Sequence, residues 1–214
     1  MKEHRGMDLL RFASLYRLAA TQVRRERTPM TGPDAEQALS QAWSQVVGSR
    51  PSPETLSILL GQWAMETGHG KKMWNYNFGG IKGTSPEGLT TSYKTHEGYG
   101  DTRQAITDRF RAYSTAEEGA KDYVGLLARK YGDAIEAAKA GDPRDFVTAL
   151  RAGGYFTGDP AAYTRAVSSI SEKVLREGSG SVGQKPKPGE VASKSPSGQL
   201  DPQVAQLVRY LSRL

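Results

Sequence analysis

Residues 53–66, Pro-Glu-Thr-Leu-Ser-Ile-Leu-Leu-Gly-Gln-Trp-Ala-Met-Glu, read as a helix that is apolar on most of its sides. Leu56, Ile58, Leu59, Leu60, Trp63, Ala64 and Met65 leave it no continuous polar face. Such a helix has to be enclosed by other elements rather than lie on a surface. Its start is well marked: Ser52 suits the N-cap, Pro53 the first helical position, and Glu54 faces the positive end of the helix dipole. A chain of 214 residues supplies one ordinary domain around that helix, plus appendages, without a covalent staple. It contains no cysteine, which excludes disulfides and cysteine-based zinc sites.

The surrounding elements follow from periodicity and breakers. Residues 7–26 read as an amphipathic helix, with Leu9, Leu10, Phe12, Ala13, Tyr16, Leu18 and Ala19 on one side. Its end is Arg24-Arg25-Glu26-Arg27, either a binding patch or a solvated helix terminus favoured by the dipole. A second helix is predicted over 34–48, after the breakers at 28–33. Residues 68–112 are rich in glycine, with Leu89-Thr90-Thr91-Ser92-Tyr93 and an alternating stretch at 105–110, and predict a hairpin or three-stranded lobe with long loops. Ser114-Thr115-Ala116-Glu117 reads as a capping box ahead of a helix carrying Tyr123, Leu126, Leu127 and Tyr131. Shorter helices fit 133–140, 143–152 and 160–176. From 178 to 198 the chain is Gly, Ser, Pro and Lys, a linker. Beyond it Val204, Leu207, Val208, Leu211 and Leu214 form one stripe of a short amphipathic helix. The organisation expected is an N-terminal helix and connector at 1–32, a domain at 33–177, a linker at 178–199 and a docking helix at 200–214. The fold class is α+β, mainly α.

Lys and Arg number 29 against 23 Asp and Glu, a net charge of +6. That draws the protein toward polyanions or simply keeps it soluble. No apolar run reaches the roughly 18 residues of a membrane span, and 1–17 lacks the uninterrupted apolar stretch of a secretory signal peptide. An extracytoplasmic substrate would therefore be reached through a dedicated export apparatus, by lysis, or on a virion.

The chemistry concentrates at Gln62-Trp63-Ala64-Met65-Glu66-Thr67-Gly68-His69-Gly70 and at 75–83, Asn-Tyr-Asn-Phe-Gly-Gly-Ile-Lys-Gly. A carboxylate ending an apolar helix is a proton donor in waiting: burial disfavours its charge and raises its pKa. Spacing alone fits a solvated terminal glutamate equally well. Trp74, Tyr76 and Phe78 offer aromatic faces to sugars, or belong to the core, and Asn77 offers a donor and an acceptor. His69 and His96 lack paired ligand spacing, so no metal and no cofactor is expected.

These motifs resemble glycoside hydrolase family 73, the bacterial endo-β-N-acetylglucosaminidases of flagellar and autolytic wall hydrolases. The resemblance covers about residues 33 to 176. It rests on Glu66-Thr67-Gly68-His69-Gly70, on 76–83, on Phe110-Arg111-Ala112-Tyr113-Ser114 with Glu117, on Asp122-Tyr123, and on Ala152-Gly153-Gly154-Tyr155 with Asp159-Pro160 and Tyr163. It implies a lysozyme-like α-lobe with a small β-lobe beside it, and Glu66 as general acid. His69, where the family usually has a bulky residue, and the doubled Gly79-Gly80 depart from its pattern at the cleft wall. The second carboxylate is expected in the β-lobe at Glu97, with Asp101 and Glu87 as alternatives; substrate assistance by the 2-acetamido group is a third route. Tyr155 matches a family tyrosine near the acid, suited to orienting the acetamido group or stabilising charge, or else a packed tyrosine with a bonded hydroxyl. The resemblance puts Trp74, Tyr76, Asn77, Phe78, Lys82 and Tyr113 along the substrate. The implied activity is cleavage of the β-1,4 bond after N-acetylglucosamine in the glycan strand of peptidoglycan, in the wall or periplasm. The alternatives are a muramidase or lytic transglycosylase on the same fold, or a non-catalytic wall-binding module. A protein partner is expected for helix 201–214, and no nucleic acid.

Overall fold

A computed structural model describes residues 20–97 and 104–183, with side chains from 95–97 and 104–105 excepted. The chain order is β1 (Thr21–Gln22), α1 (Gly32–Val47), α2 (Pro53–Glu66), β2 (Leu89–Glu97), β3 (Gln104–Arg111), α3 (Ala116–Lys130), α4 (Gly132–Ala140), α5 (Pro143–Ala152) and α6 (Pro160–Glu177), closed by a 3₁₀ turn at Ser179–Ser181. This is the mainly helical α+β architecture that the sequence predicts.

The helices begin where side chains can satisfy their first N–H groups. Thr31, Ser52, Thr115, Asp142 and Asp159 are N-caps, and proline follows in the first turn of α1, α2, α5 and α6. The capping box of α3 sits one residue later than expected: Thr115 and Glu118 bond reciprocally, rather than Ser114 and Glu117. Both frames carry the required residue types, and Ser114 is left to donate its backbone N–H to Glu118.

The apolar helix α2 is central. Ile58, Leu59, Leu60, Trp63 and Ala64 are essentially inaccessible, among Trp43 and Leu39 of α1, Tyr123 and Leu127 of α3, and Phe146, Val147 and Leu150 of α5. It packs on α6, α1 and α4. Its closest crossing is at Gly61, where a Cβ would stand 2.8 Å from the Val167 carbonyl oxygen of α6. Gly61 is thus the reason the two helices can approach so closely.

The β-lobe is a ladder from Thr90↔Arg111 to Glu97↔Gln104, antiparallel as expected. Its third strand comes from outside the expected window: Thr21 and Gln22 pair in parallel with Leu89 and Thr90. This corrects the predicted helix over 7–26. Thr21–Gln22 are a strand, the rest of 20–26 is not helical, and 7–19 lie outside the described residues. The physical reason is a tertiary partner for that backbone. Val23 donates to Thr90, Asn75 donates its backbone N–H to Glu26 and its side-chain amide to Arg24, and Thr28 donates to Met73. Arg25 is neither a free patch nor a helix end. Its guanidinium lies 3.6 Å from the Trp74 ring centroid and 4.1 Å from that of Tyr93, which stacks on Phe110.

The first residues of the predicted linker are packed against the domain. Ser179 and Ser181 are buried, Ser179 donates to Glu36, and Val182 packs on the core, because Gly32 leaves room for the Ser179 backbone against α1. Residues 184–199 and helix 201–214 lie outside the described residues.

Candidate active site

Gln62 and Glu66 sit one turn apart on α2, and so share a face. That face looks toward Tyr123 of α3 and Tyr163 of α6. The Tyr163 hydroxyl donates to Glu66 Oε1 at 2.8 Å and accepts from Gln62 Nε2 at 3.3 Å. Tyr123 in turn donates to Gln62 Oε1. Burial pushes the Glu66 carboxyl up to about 7, against the smaller opposing effect of the Tyr163 hydrogen bond. Burial first, and then the Glu66 charge, push the Tyr163, Tyr123 and Tyr155 phenols well above their ordinary value. All three are therefore neutral donors and not bases.

Two glycines form the wall beside the acid. Tyr155 donates to the Gly79 carbonyl at 2.8 Å, and a Cβ at Gly79 would collide with the Tyr155 hydroxyl and press on the Tyr123 ring. At Gly80 φ is +59°, and the atom nearest a side-chain position there is Glu66 Oε2, at 3.4 Å. The doubled glycine thus lies directly against the acid and its tyrosines. The second glycine places no side chain beside Glu66 Oε2.

The loop leading to that wall is held in an uncommon backbone conformation. His69, Asn75 and Tyr76 have φ of 57°, 46° and 52°, a region that costs non-glycine residues energy unless the surroundings enforce it. The surroundings do so at 75–77. Glu26 N–H donates to Asn75 Oδ1, and Tyr76 N–H donates to Thr28 Oγ1. The Asn77 amide donates to the Ile81 and Arg111 carbonyls while its oxygen accepts from Ile81 N–H.

These bonds say what the predicted cleft residues are doing. Asn77 is buried and its side-chain bonds close the turn that carries Gly79-Gly80. Phe78 is fully buried against Trp63, in the core. Trp74 is half-buried and faces Arg25 and Arg27 of the N-terminal segment. Tyr76 is half-buried, its carbonyl against Gly119 of α3. Lys82 pairs with Asp108 at 2.6 Å on the outside of the β-lobe. Tyr113 is buried and donates to Asp122 at 2.7 Å, beside the Arg111–Asp122 ion pair at 2.6 Å. Glu97 stands at the last register position of β2, opposite Gln104. Glu87 is exposed in the turn before β2, and Asp101 lies outside the described residues. The structure therefore joins Glu66 and Tyr155 through Gly79-Gly80, while the remaining predicted residues serve the loop, the core or the lobe.

Three members of the cluster, Gln62, Tyr123 and Tyr163, were not singled out from the sequence as site residues. Gln62 reads as a polar interruption of an apolar helix; its signal is the four-residue spacing to Glu66. Tyr163 belongs to the Asp159-Pro160 motif, and only the crossing of α2 and α6 brings it to the acid. Among the described residues no group of three His, Cys, Asp or Glu side chains is arranged to hold a metal, and no helix is long and apolar enough to cross a membrane.

Comparison with known proteins extends this geometry. The family described as mannosyl-glycoprotein endo-beta-N-acetylglucosaminidase matches residues 52–176, more than half of the chain. The peptidoglycan hydrolase FlgJ of Salmonella typhimurium is 29% identical over 175 residues, 73% of this chain and 54% of that protein. The peptidoglycan hydrolase FlgJ of Pseudomonas aeruginosa is 34% identical over 131 residues, 54% of this chain and 30% of that protein. The chain thus spans about half the length, or less, of these curated relatives. Among solved structures, a C-terminally truncated glycoside hydrolase domain of Salmonella typhimurium FlgJ is 26% identical, with a TM-score of 0.47, over 68% of this chain and 98% of that domain. With the acid-bearing helix, the glycine wall and the tyrosine cluster all inside the matched region, the chain belongs to the glucosaminidase family of glycoside hydrolases.

Proposed function

We propose that this chain is a peptidoglycan hydrolase that cleaves the β-1,4 bond after N-acetylglucosamine, with Glu66 as general acid. The observation that carries the reading is the carboxyl of Glu66, held near 7 by burial at the end of a helix enclosed by the core. Such an acid is still substantially protonated at neutral pH and can give its proton to a leaving glycosidic oxygen. As the C1–O bond breaks, its electron pair goes to that oxygen and the oxygen takes the Glu66 proton. The carboxylate left behind is met by the Tyr163 hydroxyl. Peptidoglycan as substrate is supported by the names of the FlgJ relatives, and the bond by the family description.

Glu97 is our choice for the second carboxylate. It lies on the β-lobe, as the resemblance implies, and retaining or inverting chemistry depends on whether it comes to about 5 Å or about 6.5–9.5 Å from the acid. Tyr155, turned toward Gly79 next to the acid, is suited to positioning the 2-acetamido group, whose own oxygen is the alternative nucleophile. Trp74, Tyr76, Lys82 and Tyr113 flank the glycan through the loop and lobe surfaces they shape. Action in the cell wall follows from the substrate. Delivery by a phage, secretion or motility assembly, with 200–214 as the docking segment, completes the reading.

Mass spectrometry of products from purified sacculi tests it. New reducing ends of N-acetylglucosamine are expected. N-acetylmuramic acid ends, or 1,6-anhydro ends, would assign the chain to muramidase or lytic transglycosylase chemistry, and no release of fragments would leave a binding module.

A further inference from the structure

Gln62 is completely buried, in the middle of the most apolar helix of the protein, and it touches no part of the cleft surface. A buried amide is costly unless its groups are bonded. Here its carbonyl oxygen accepts from Tyr123 and its Nε2 donates to Tyr163. Tyr123 is itself fully buried, and its hydroxyl has one proton. By giving that proton to Gln62 Oε1 it decides which way the amide points. Nε2 must then face Tyr163, whose oxygen accepts. Tyr163 in turn has one proton, and it is left with one acceptor, Glu66 Oε1 at 2.8 Å. The order Tyr123 → Gln62 → Tyr163 → Glu66 is therefore directional.

From this chain, and resting on the reading of Glu66 as general acid, we infer that Gln62 is a positioning residue: it aims the Tyr163 proton at Glu66 Oε1 and so makes Oε2 the oxygen that delivers the catalytic proton. The geometry on the other side of the carboxyl agrees. Oε2 is the oxygen beside Gly80, which contributes no side chain to cover it. An acid that carries its proton on Oε1 would present it to Tyr163, inside the protein. One that carries it on Oε2 presents it to the open side. The same bond stabilises the carboxylate after transfer, since Tyr163 already donates to it.

Four variants test this on purified sacculi: Gln62→Met and Gln62→Leu, each of which removes both polar groups, Tyr163→Phe, and Gln62→Met with Tyr163→Phe. The readout is the high-pH limb of kcat/KM. Removing the Tyr163 proton, or freeing its hydroxyl to turn away from Glu66, favours protonated Glu66, so each single variant is expected to move that limb upward, Tyr163→Phe by about one pH unit and the Gln62 variants by less, with kcat lower by about tenfold from lost orientation. Adding Gln62→Met to Tyr163→Phe is expected to move the limb no further, because Gln62 acts only through Tyr163. Should Gln62→Met fold poorly, Gln62→Leu carries the same test. A limb unmoved in both Gln62 variants, with activity lost in proportion to stability, would overturn the inference and leave Gln62 a structural amide. So would a further shift in the double variant. Failure of the underlying reading looks different: Glu66→Gln would then keep wild-type activity whatever Gln62 does.

Discussion

The two regions that the proposed reaction needs are built in opposite ways. The end of α2 is fixed from all sides: Gln62 and Trp63 are inaccessible, Thr67 is buried and its hydroxyl both donates to the Trp63 carbonyl and accepts from Gly70 N–H, and Glu66 is tied to α6 through Tyr163. In the β2–β3 hairpin the anchoring contacts of the described side chains lie at the root. Thr90, Thr91 and Phe110 are buried at its root, and Arg25 joins Trp74 to the Tyr93–Phe110 stack. Further along, Lys94 is exposed, and Glu97 stands at the far end of the ladder. A proton donor has to have a controlled pKa, which requires a dry and rigid setting. A second group has to meet a polymer that enters and leaves, which suits a lobe attached at its base.

That contrast orders the expected effects. The largest is on activity. Glu66→Gln should reduce hydrolysis of sacculi by about 10²–10⁴-fold without loss of fold. Glu97→Gln should reduce it strongly but less, and Glu87→Gln should do little. A Glu97→Gln variant with most of the wild-type rate would pass the role to the substrate's acetamido group, and the lobe would then serve binding alone.

The next effect concerns the chain end that the helical region keeps for itself. Deleting 184–214 should leave hydrolysis of purified sacculi unchanged. Deleting 178–214 should lower Tm by several degrees, because it strips Val182 from the core and Ser179 from Glu36. Equal melting of the two truncations would show that the turn at Ser179–Ser181 is ornamental.

The smallest effect is the stability that the buried acid withholds. The Glu66 pKa is raised in the folded protein, so between the unfolded value and about 7 the folded state holds a proton that the unfolded state has lost. Stability therefore falls as pH rises through that window and is level above it. For a shift of this size the loss is at most about 3 kcal/mol. Glu66→Gln cannot titrate. Its Tm should gain on the wild type by a few degrees between pH 5 and pH 8, measured by calorimetry, and a constant difference would mean that Glu66 is well solvated.

How legible each region was follows from the same contrast. The helices α2, α5 and α6 were readable because their signals are local: Ser52-Pro53, Asp142-Pro143 and Asp159-Pro160 fix the starts, and Gly141 and Gly178 follow the ends of α4 and α6. The acid was readable as a lone carboxylate on an apolar helix, sharpened by the family motifs. The segment at 20–28 was not, since its conformation is set by backbone partners more than forty residues away, Asn75 and Thr90 among them, and its own residues pass equally well for a basic helix end. Asn77 and Phe78 carry a second layer that the motif alone does not show: Asn77 bonds across the turn that carries Gly79-Gly80, and Phe78 packs on Trp63 in the core. Gln62 escaped notice because a single amide in an apolar helix has no meaning until the two tyrosines that bond it are brought together by α3 and α6.

The most direct measurement is the pH dependence of kcat/KM on a soluble glycan fragment, which reports the acid of the free enzyme. If Glu66 is the proton donor held in this setting, the rate should fall above about pH 7, tenfold for each further unit, and Tyr163→Phe should move that limb upward. A rate that stays level from pH 6 to pH 9, or a limb that Tyr163→Phe leaves in place, would contradict the account.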